Sequence, residues 1–194
     1  MNIYDFDGTI YNGDSCKDIV LYGLKKHPSL TIASLKKARQ VNKNYKKGYI
    51  QFERVKEELL SFIFKIDDRE KFINDFVDSH MKKIKSWYKS RKDANDVIVS
   101  ASYDIWIIPF AQKLGIRNVI ATRVDSEGKI LGLNCKGQEK VKRIKEAYNS
   151  SEISSAYSDS AVDIPMLEIA NTAYVVEGNK INTYKQGYKF KNKK

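Results

Sequence analysis

The chain has 194 residues, enough for one core domain plus a modest insertion. Its 42% apolar content predicts a packed core and excludes disorder, and no apolar run approaches the ~18 residues of a membrane span. The formal charge of +11 comes from 35 Lys and Arg against 24 Asp and Glu, spread along predicted helices and the C-terminal tail. Those lysines are not interleaved with aromatics in one patch, so they read as a solubilising surface, with no nucleic-acid partner expected.

The first residues, Met1-Asn2-Ile3-Tyr4, run straight into a predicted strand carrying Asp5 and Asp7. No basic stretch followed by an apolar one precedes them, so no secretory signal is expected and the location reads as cytoplasmic. Cys16 and Cys135 suit a reducing compartment and form no ligand cluster. His27 and His80 stand alone and read as surface or packing residues.

Residues 1–12 are read as a strand and a turn, and Gly8 lets the chain bend sharply after the acid pair. From about 13 to 93 the pattern is helical throughout. Asp14 or Ser15 can cap a helix that runs to Lys26 and is stopped by His27-Pro28. A second helix starts near Ser29 and ends by Gly48. Ile50, Phe52, Val55, Leu59, Phe62 and Ile63 then form an amphipathic stripe, read as core. Asp67 or Asp68 can cap a further helix with Phe72, Ile73, Phe76, Val77, Met81 and Ile84. The segment is thus a bundle of about four helices.

After Asn95 strands and helices alternate. Strands are predicted at Val97–Ser100, Val119–Thr122, Ile153–Tyr157 and Thr172–Val176. Helices are predicted at Asp104–Leu114, with an irregularity at Pro109, and at Gln138–Tyr148 and Ile164–Ala170. Ser126-Glu127-Gly128-Lys129 marks a turn into Ile130-Leu131. The tail from Lys185 to Lys194 is expected to fray. Repeated β-α units predict an α/β fold, a Rossmann-like parallel sheet with helices on both faces.

Four motifs punctuate this pattern in a fixed order. They are Asp5-Phe6-Asp7-Gly8-Thr9, the hydroxyl at Ser100, Lys140 within Gly137-Gln138-Glu139-Lys140-Val141, and Asp159-Ser160-Ala161-Val162-Asp163. Each alone is ordinary: a turn, a strand end, a helix lysine, a capping acid. Together they form a kit for handling a phosphoryl group with a metal ion. Ligands of open parallel sheets sit at the carboxyl ends of the strands, where Asp5, Ser100 and Asp159 are predicted to stand.

This order resembles the haloacid dehalogenase-like (HAD) hydrolase superfamily, in its phosphoserine-phosphatase-like branch. The resemblance covers about 1–12 and 94–180 and includes Asn134-Cys135-Lys136-Gly137, Tyr157-Ser158-Asp159-Ser160 and Asp163-Ile164-Pro165-Met166-Leu167. It implies a catalytic core of 1–12 and 94–194 with a helical cap at 13–93. Asp5 is then the nucleophile that forms an aspartyl-phosphate. Asp7 is the general acid, then the base; its presence points to phosphoester hydrolysis over dehalogenation. Asp5, the backbone carbonyl of Asp7, and Asp159 would hold Mg²⁺. Ser100, with the nearby N–H of Ala101, and Lys140 would bind the phosphate, and Asp163 would orient Lys140 or a metal-bound water.

The implied substrate is a small phosphorylated metabolite. A phosphotransferase, or a phosphatase of a lipid headgroup such as phosphatidylglycerol phosphate, is the alternative, although no amphipathic anchor predicts membrane contact. A binding protein on a HAD core stands last. Phosphoserine phosphatases carry Ser-Thr in place of Gly8-Thr9, Ser-Gly-Gly in place of Ser100-Ala101-Ser102, a Gly for Ser158 and often an Asn for Val162. These departures leave the substrate open. Those enzymes also read the substrate with an acid and an arginine, for which Asp14 or Asp18 and Arg39 or Arg54 are candidates.

Overall fold

A computed structural model describes residues 1–149 and 152–190. Six strands form one sheet in the order β3-β2-β1-β4-β5-β6. They are β1 (Asn2–Asp5), β2 (Val97–Tyr103), β3 (Asn118–Thr122), β4 (Ser155–Ser158), β5 (Thr172–Glu177) and β6 (Lys180–Thr183). The first five are parallel, and β6 returns antiparallel along β5. Side chains alternate across this sheet and build two cores. Ile3, Val97, Val99, Ala156 and Val175 point to one face, where Val141, Ile144, Met166 and Leu167 cover them. Tyr4, Ile98, Tyr157 and Val176 belong to the other, with Trp106, Ile107 and Phe110. The register places Tyr4 beside Tyr157 and Tyr157 beside Tyr174. Their rings stack with centroids 4.5 and 4.7 Å apart, tying β1, β4 and β5 together.

Between β1 and β2 lie α1 (Ser15–Lys26), α2 (Pro28–Lys46), α3 (Phe52–Leu60), α4 (Arg69–His80) and the short α5 (Ser86–Lys89). Asp14 caps α1 by accepting from the Lys17 N–H at 3.0 Å. Pro28 occupies the first turn of α2, where its missing N–H costs nothing, and Asp68 caps α4. The two ends of this segment meet: Asn12 N–H donates to the Lys83 carbonyl and Lys85 N–H to that of Ile10. The aromatic core of the segment is Phe62, Phe72 and Phe76, which reaches the sheet through Phe110.

The remaining helices are α6 (Asp104–Leu114), α7 (Gln138–Ala147) and α8 (Ile164–Leu167). Helix α6 spans the expected residues with Pro109 in its interior. Three expectations need correction. Strand β2 continues past Ser100 to Tyr103, with a register shift after Val99. The stretch expected as one helix from Ile164 to Ala170 is a 3-10 turn at Ala161–Asp163 followed by the single turn α8. Strand β6 was not expected, yet Gly178-Asn179 between Glu177 and Lys180 is a two-residue hairpin turn. In the tail, Tyr188 and Phe190 pack against the sheet, and residues 191–194 lie outside the described residues. No helix among the described residues is long and apolar enough to cross a membrane.

Candidate active site

The chain leaves β1, fills β2 and β3 on one side, then crosses to β4 on the other. Such a reversal opens a crevice at the carboxyl ends of the strands. Asp5 is the last residue of β1 and sits at that point, 7% exposed. Beyond it the chain turns at once. Gly8 has φ +80°, a conformation that a side chain would strain, and its N–H donates to the Tyr11 carbonyl. The turn sends Phe6 into the core and leaves both Asp5 and Asp7 on a cavity of about 360 Å³. The strand predicted to carry both Asp5 and Asp7 therefore ends at Asp5, and a turn places Asp7.

Two side chains, Lys140 and Thr9, bond Asp5 directly and tie it to a wider network. Lys140, on the first turn of α7 and 2% exposed, donates to Asp5 Oδ1 at 2.6 Å and to Asp163 Oδ2 at 2.9 Å. Asp163 also accepts from Ser158 Oγ at 2.8 Å. Thr9 Oγ1 lies 3.0 Å from Asp5 Oδ2 and 3.4 Å from Asp159 Oδ1, and it accepts the Asp159 N–H at 3.0 Å. Burial pushes the Asp5 carboxyl above its ordinary range, with Lys140 pulling against it. Desolvation opposes the charge on Lys140, but Asp5 and Asp163 outweigh it and hold the ammonium above its ordinary range.

Asp7 is set differently. Its Oδ1 accepts the Ser15 N–H at 2.6 Å, so the first turn of α1 holds it. Its Oδ2 accepts from Ser102 Oγ at 2.6 Å. Ser102 Oγ lies 3.2 Å from Ser15 Oγ, which accepts from Trp106 Nε1 at 3.2 Å. The indole can only donate, so the relay from Trp106 through both serines is polarised toward Asp7. Burial nonetheless pushes Asp7 above the usual carboxylate range, with the Ser102 and Ser15 bonds opposing.

Ala101 and Ser102 form the cavity wall at the end of β2. Ser100 is fully buried beneath them, and its Oγ accepts the Ser102 N–H at 3.0 Å. Asp5, Asp7, Ala101, Lys140, Asp159 and Asp163 all line the one cavity.

Sequence reasoning missed two residues. Ser102 is one, since serine at a strand end carries no signal of its own. The other is Lys56 of α3, 7% exposed, which donates to the Ala101 carbonyl and to Asn134 Oδ1 at 2.8 Å. Its ammonium lies 4.8 Å from the Tyr103 ring centroid. Burial pushes it down to about 8. The available signal was its position, four residues after Phe52 and three before Leu59, on the apolar stripe. That stripe lines the cavity at Phe52, Val55 and Leu59, where the sequence suggested core. Glu53 and Glu57 dock the same helix, accepting the N–H groups of Asn134 at 3.1 Å and Ile130 at 3.0 Å.

Of the four candidates for reading a substrate, only Asp14 lines the cavity. Asp18 binds Tyr11 and Lys83, Arg54 pairs with Glu57 and Glu58, and Arg39 is exposed on α2. Among the described residues, no three His, Cys, Asp or Glu side chains gather as a ligand group. The donors on offer are the carboxylates of Asp5 and Asp159, joined through Thr9. Hard oxygens of this kind, few in number, suit Mg²⁺, which keeps several waters.

A parallel α/β sheet with a carboxylate-lysine cluster at its switch point defines a class of hydrolase. The chain belongs to the haloacid dehalogenase-like hydrolases, whose family model matches residues 3–168. It is 40% identical over 87 residues to the protein CicA of Caulobacter vibrioides, covering 41% of this chain and 39% of that one. It is 40% identical over 88 residues to a probable phosphatase of Mycobacterium tuberculosis, covering 41% of this chain and 31% of that one. The chain thus aligns with less than half the length of these relatives. A Bordetella pertussis protein of unknown function shares the fold with TM-score 0.71 at 19% identity, over 89% of this chain and 87% of that one. A phosphoserine phosphohydrolase-like protein of Francisella tularensis does so with TM-score 0.55 at 21% identity, over 89% and 86%.

Proposed function

We propose that this hydrolase is a Mg²⁺-dependent phosphatase of small phosphomonoesters, working through an aspartyl-phosphate on Asp5. The observation that carries the reading is the position of Asp5. It is buried at the end of β1, held by Lys140 and Thr9, with Asp7 on the same cavity.

An Oδ of Asp5 attacks phosphorus, and the bond to the leaving oxygen breaks. Asp7, held above its ordinary range by burial, gives its proton to that oxygen. Water then attacks the same phosphorus, Asp7 takes its proton, and the bond to Asp5 breaks. Lys140 stabilises the anionic nucleophile and the phosphoryl oxygens, and Asp163 aims it. Ser100 does not line the cavity; buried behind its wall, it accepts the Ser102 N–H and would shape the end of β2 that presents the Ala101 N–H to a phosphoryl oxygen. Asp5 and Asp159, with the Asp7 carbonyl, would hold Mg²⁺; it would offset the repulsion between carboxylate and phosphate.

The helical segment at 13–93 serves as a cap over a catalytic core of 1–12 and 94–194. Its contact through α3 shields the cavity from bulk water. The protein works on soluble substrates in the cytoplasm. Phosphate release from a panel of phosphorylated metabolites, with Mg²⁺ and with chelator, tests the reading. Metal-dependent release lost in Asp5→Asn supports it; release untouched by either change overturns it.

A further inference from the structure

A second groove, of about 900 Å³, runs from the cavity mouth between α3 and α7. Phe52, Asn134, Lys136 and Val162 line both spaces, so they are continuous. The groove is apolar where it leaves the mouth. Nine large hydrophobic side chains are exposed among the described residues, and four of them, Tyr45, Phe52, Leu133 and Val162, gather here. Their exposures run from 41% to 57%. Such clustering on an otherwise polar surface marks a place that something covers.

The groove is also basic. Lys136, Lys142 and Lys145 line it. Lys136 and Lys145 enter no ion pair among the described residues, and Lys142 has only a loose one, 4.0 Å from Glu146 with both partners exposed. The two acids of the groove are already engaged. Glu53 accepts the Asn134 N–H, and Glu139 is paired with Arg143 at 2.8 Å. Among the described residues, three lysines face one acid, Glu53, that has no cation of its own, so an anion entering there meets a net positive charge.

We propose that the groove holds the leaving alcohol of the substrate, and that this alcohol is long, with an apolar body and a second anionic group at its far end. The proposal rests on the phosphatase reading of the cavity. Lys145 is five residues beyond Lys140 on α7, about 7.5 Å along the helix axis at 1.5 Å per residue. Lys145 thus offers a second anion a place apart from the reacting phosphate, at the far end of an extended alcohol. A soluble bisphosphorylated metabolite presents this chemistry; phosphatidylglycerol phosphate, with its two phosphates on one three-carbon glycerol, does not.

A series of α,ω-alkanediol bisphosphates of growing chain length tests it, beside monophosphates of the same alcohols. The measured quantity is the ratio of kcat/KM for each compound to that for the shortest. A rise of about tenfold or more at roughly six to eight carbons, confined to the bisphosphates, is expected. That ratio falls toward one in the double variant Lys142→Ala, Lys145→Ala. A ratio that is flat along the series, or unmoved in the variant, overturns the proposal. Hydrolysis of no compound in either series would instead sink the phosphatase reading. A parallel arm offers phosphatidylglycerol phosphate in anionic vesicles. Faster turnover there than on any long soluble bisphosphate overturns the proposal, and the reverse supports it.

Discussion

On the sheet side of the cavity, each polar group is held by backbone that other forces fix. Asp5 ends a strand clamped between two neighbours, and Ala101 and Ser102 close another. Lys140 rises from a helix packed on the sheet by Val141 and Ile144. On the helical side the wall is mostly one face of α3, joined by Asp14 and Cys16, and α3 places Lys56 by two carboxylates bonded to backbone N–H groups. The first wall is rigid and brings acids and a cation to one point. The second is joined by a few polar contacts and is apolar around its lysine. A phosphoryl reaction needs fixed charges, whereas choice among leaving groups needs a surface that can differ without disturbing them.

Changes on the sheet side should break chemistry. Asp5→Asn is expected to lower phosphate release by at least about 10³-fold, because the proposed nucleophile is lost. Its far-ultraviolet circular dichroism should match that of wild type. Asp7→Asn should lower turnover by about 10²- to 10⁴-fold and let phosphorylated enzyme accumulate, since the second step lacks its base. Acid-quenched gels with a radiolabelled substrate would show it.

Lys140→Met sharpens the comparison, because it should damage both activity and fold. Removing one partner of a buried ion pair typically costs about 3–5 kcal/mol. The deficit, read by urea unfolding, has a predicted sign with pH. Without Lys140, burial acts unopposed on Asp5, whose carboxyl is already held above its ordinary range. The folded state then binds that proton more tightly than the unfolded state, so the variant loses stability as pH rises and regains it toward pH ~5.

Changes on the helical side should be milder and of another kind. Lys56→Met is expected to lower kcat/KM by roughly ten- to a hundredfold, through a displaced Ala101 carbonyl, with stability near pH 7 within about 1 kcal/mol. Its deficit also grows as pH rises, but in a more alkaline window than that of Lys140→Met. Folded Lys56 is pushed down to about 8 from an ordinary value near 10.5. The unfolded state therefore binds more protons between those values, and wild type gains stability over the variant as pH rises through them. Gly23→Ala should cost about 1–3 kcal/mol by overpacking. A methyl group there would stand 2.4 Å from the Phe62 ring and 2.9 Å from Thr31 Oγ1. It should lower the melting temperature and leave the sheet-side charges in place.

The two walls were unequally legible. Asp5 and Asp159 could be placed because a strand must end and a parallel sheet gathers its strand ends together. The stop at His27-Pro28 and the cap at Asp14 are local chemistry, and they appear where expected. Strand β6 hid because its outer residues are half-buried or exposed, leaving only the Gly178-Asn179 turn as a signal. Ser100 stood out by motif, yet the hydroxyl bonded to Asp7 is that of Ser102, which the extension of β2 carries round. Lys56 hid for a different reason. A lysine on an apolar stripe is invisible to a periodicity that counts only apolar residues, and its partners Ala101 and Asn134 are distant in sequence. Tertiary contact alone gives it meaning.

The most direct test of the account is borohydride trapping during turnover, followed by mass spectrometry of the peptide containing Asp5. Borohydride reduces an aspartyl-phosphate to homoserine. The account predicts homoserine at position 5, dependent on substrate and absent without it. Turnover that proceeds with Asp5 unmodified, or with the label on another carboxylate, would contradict it.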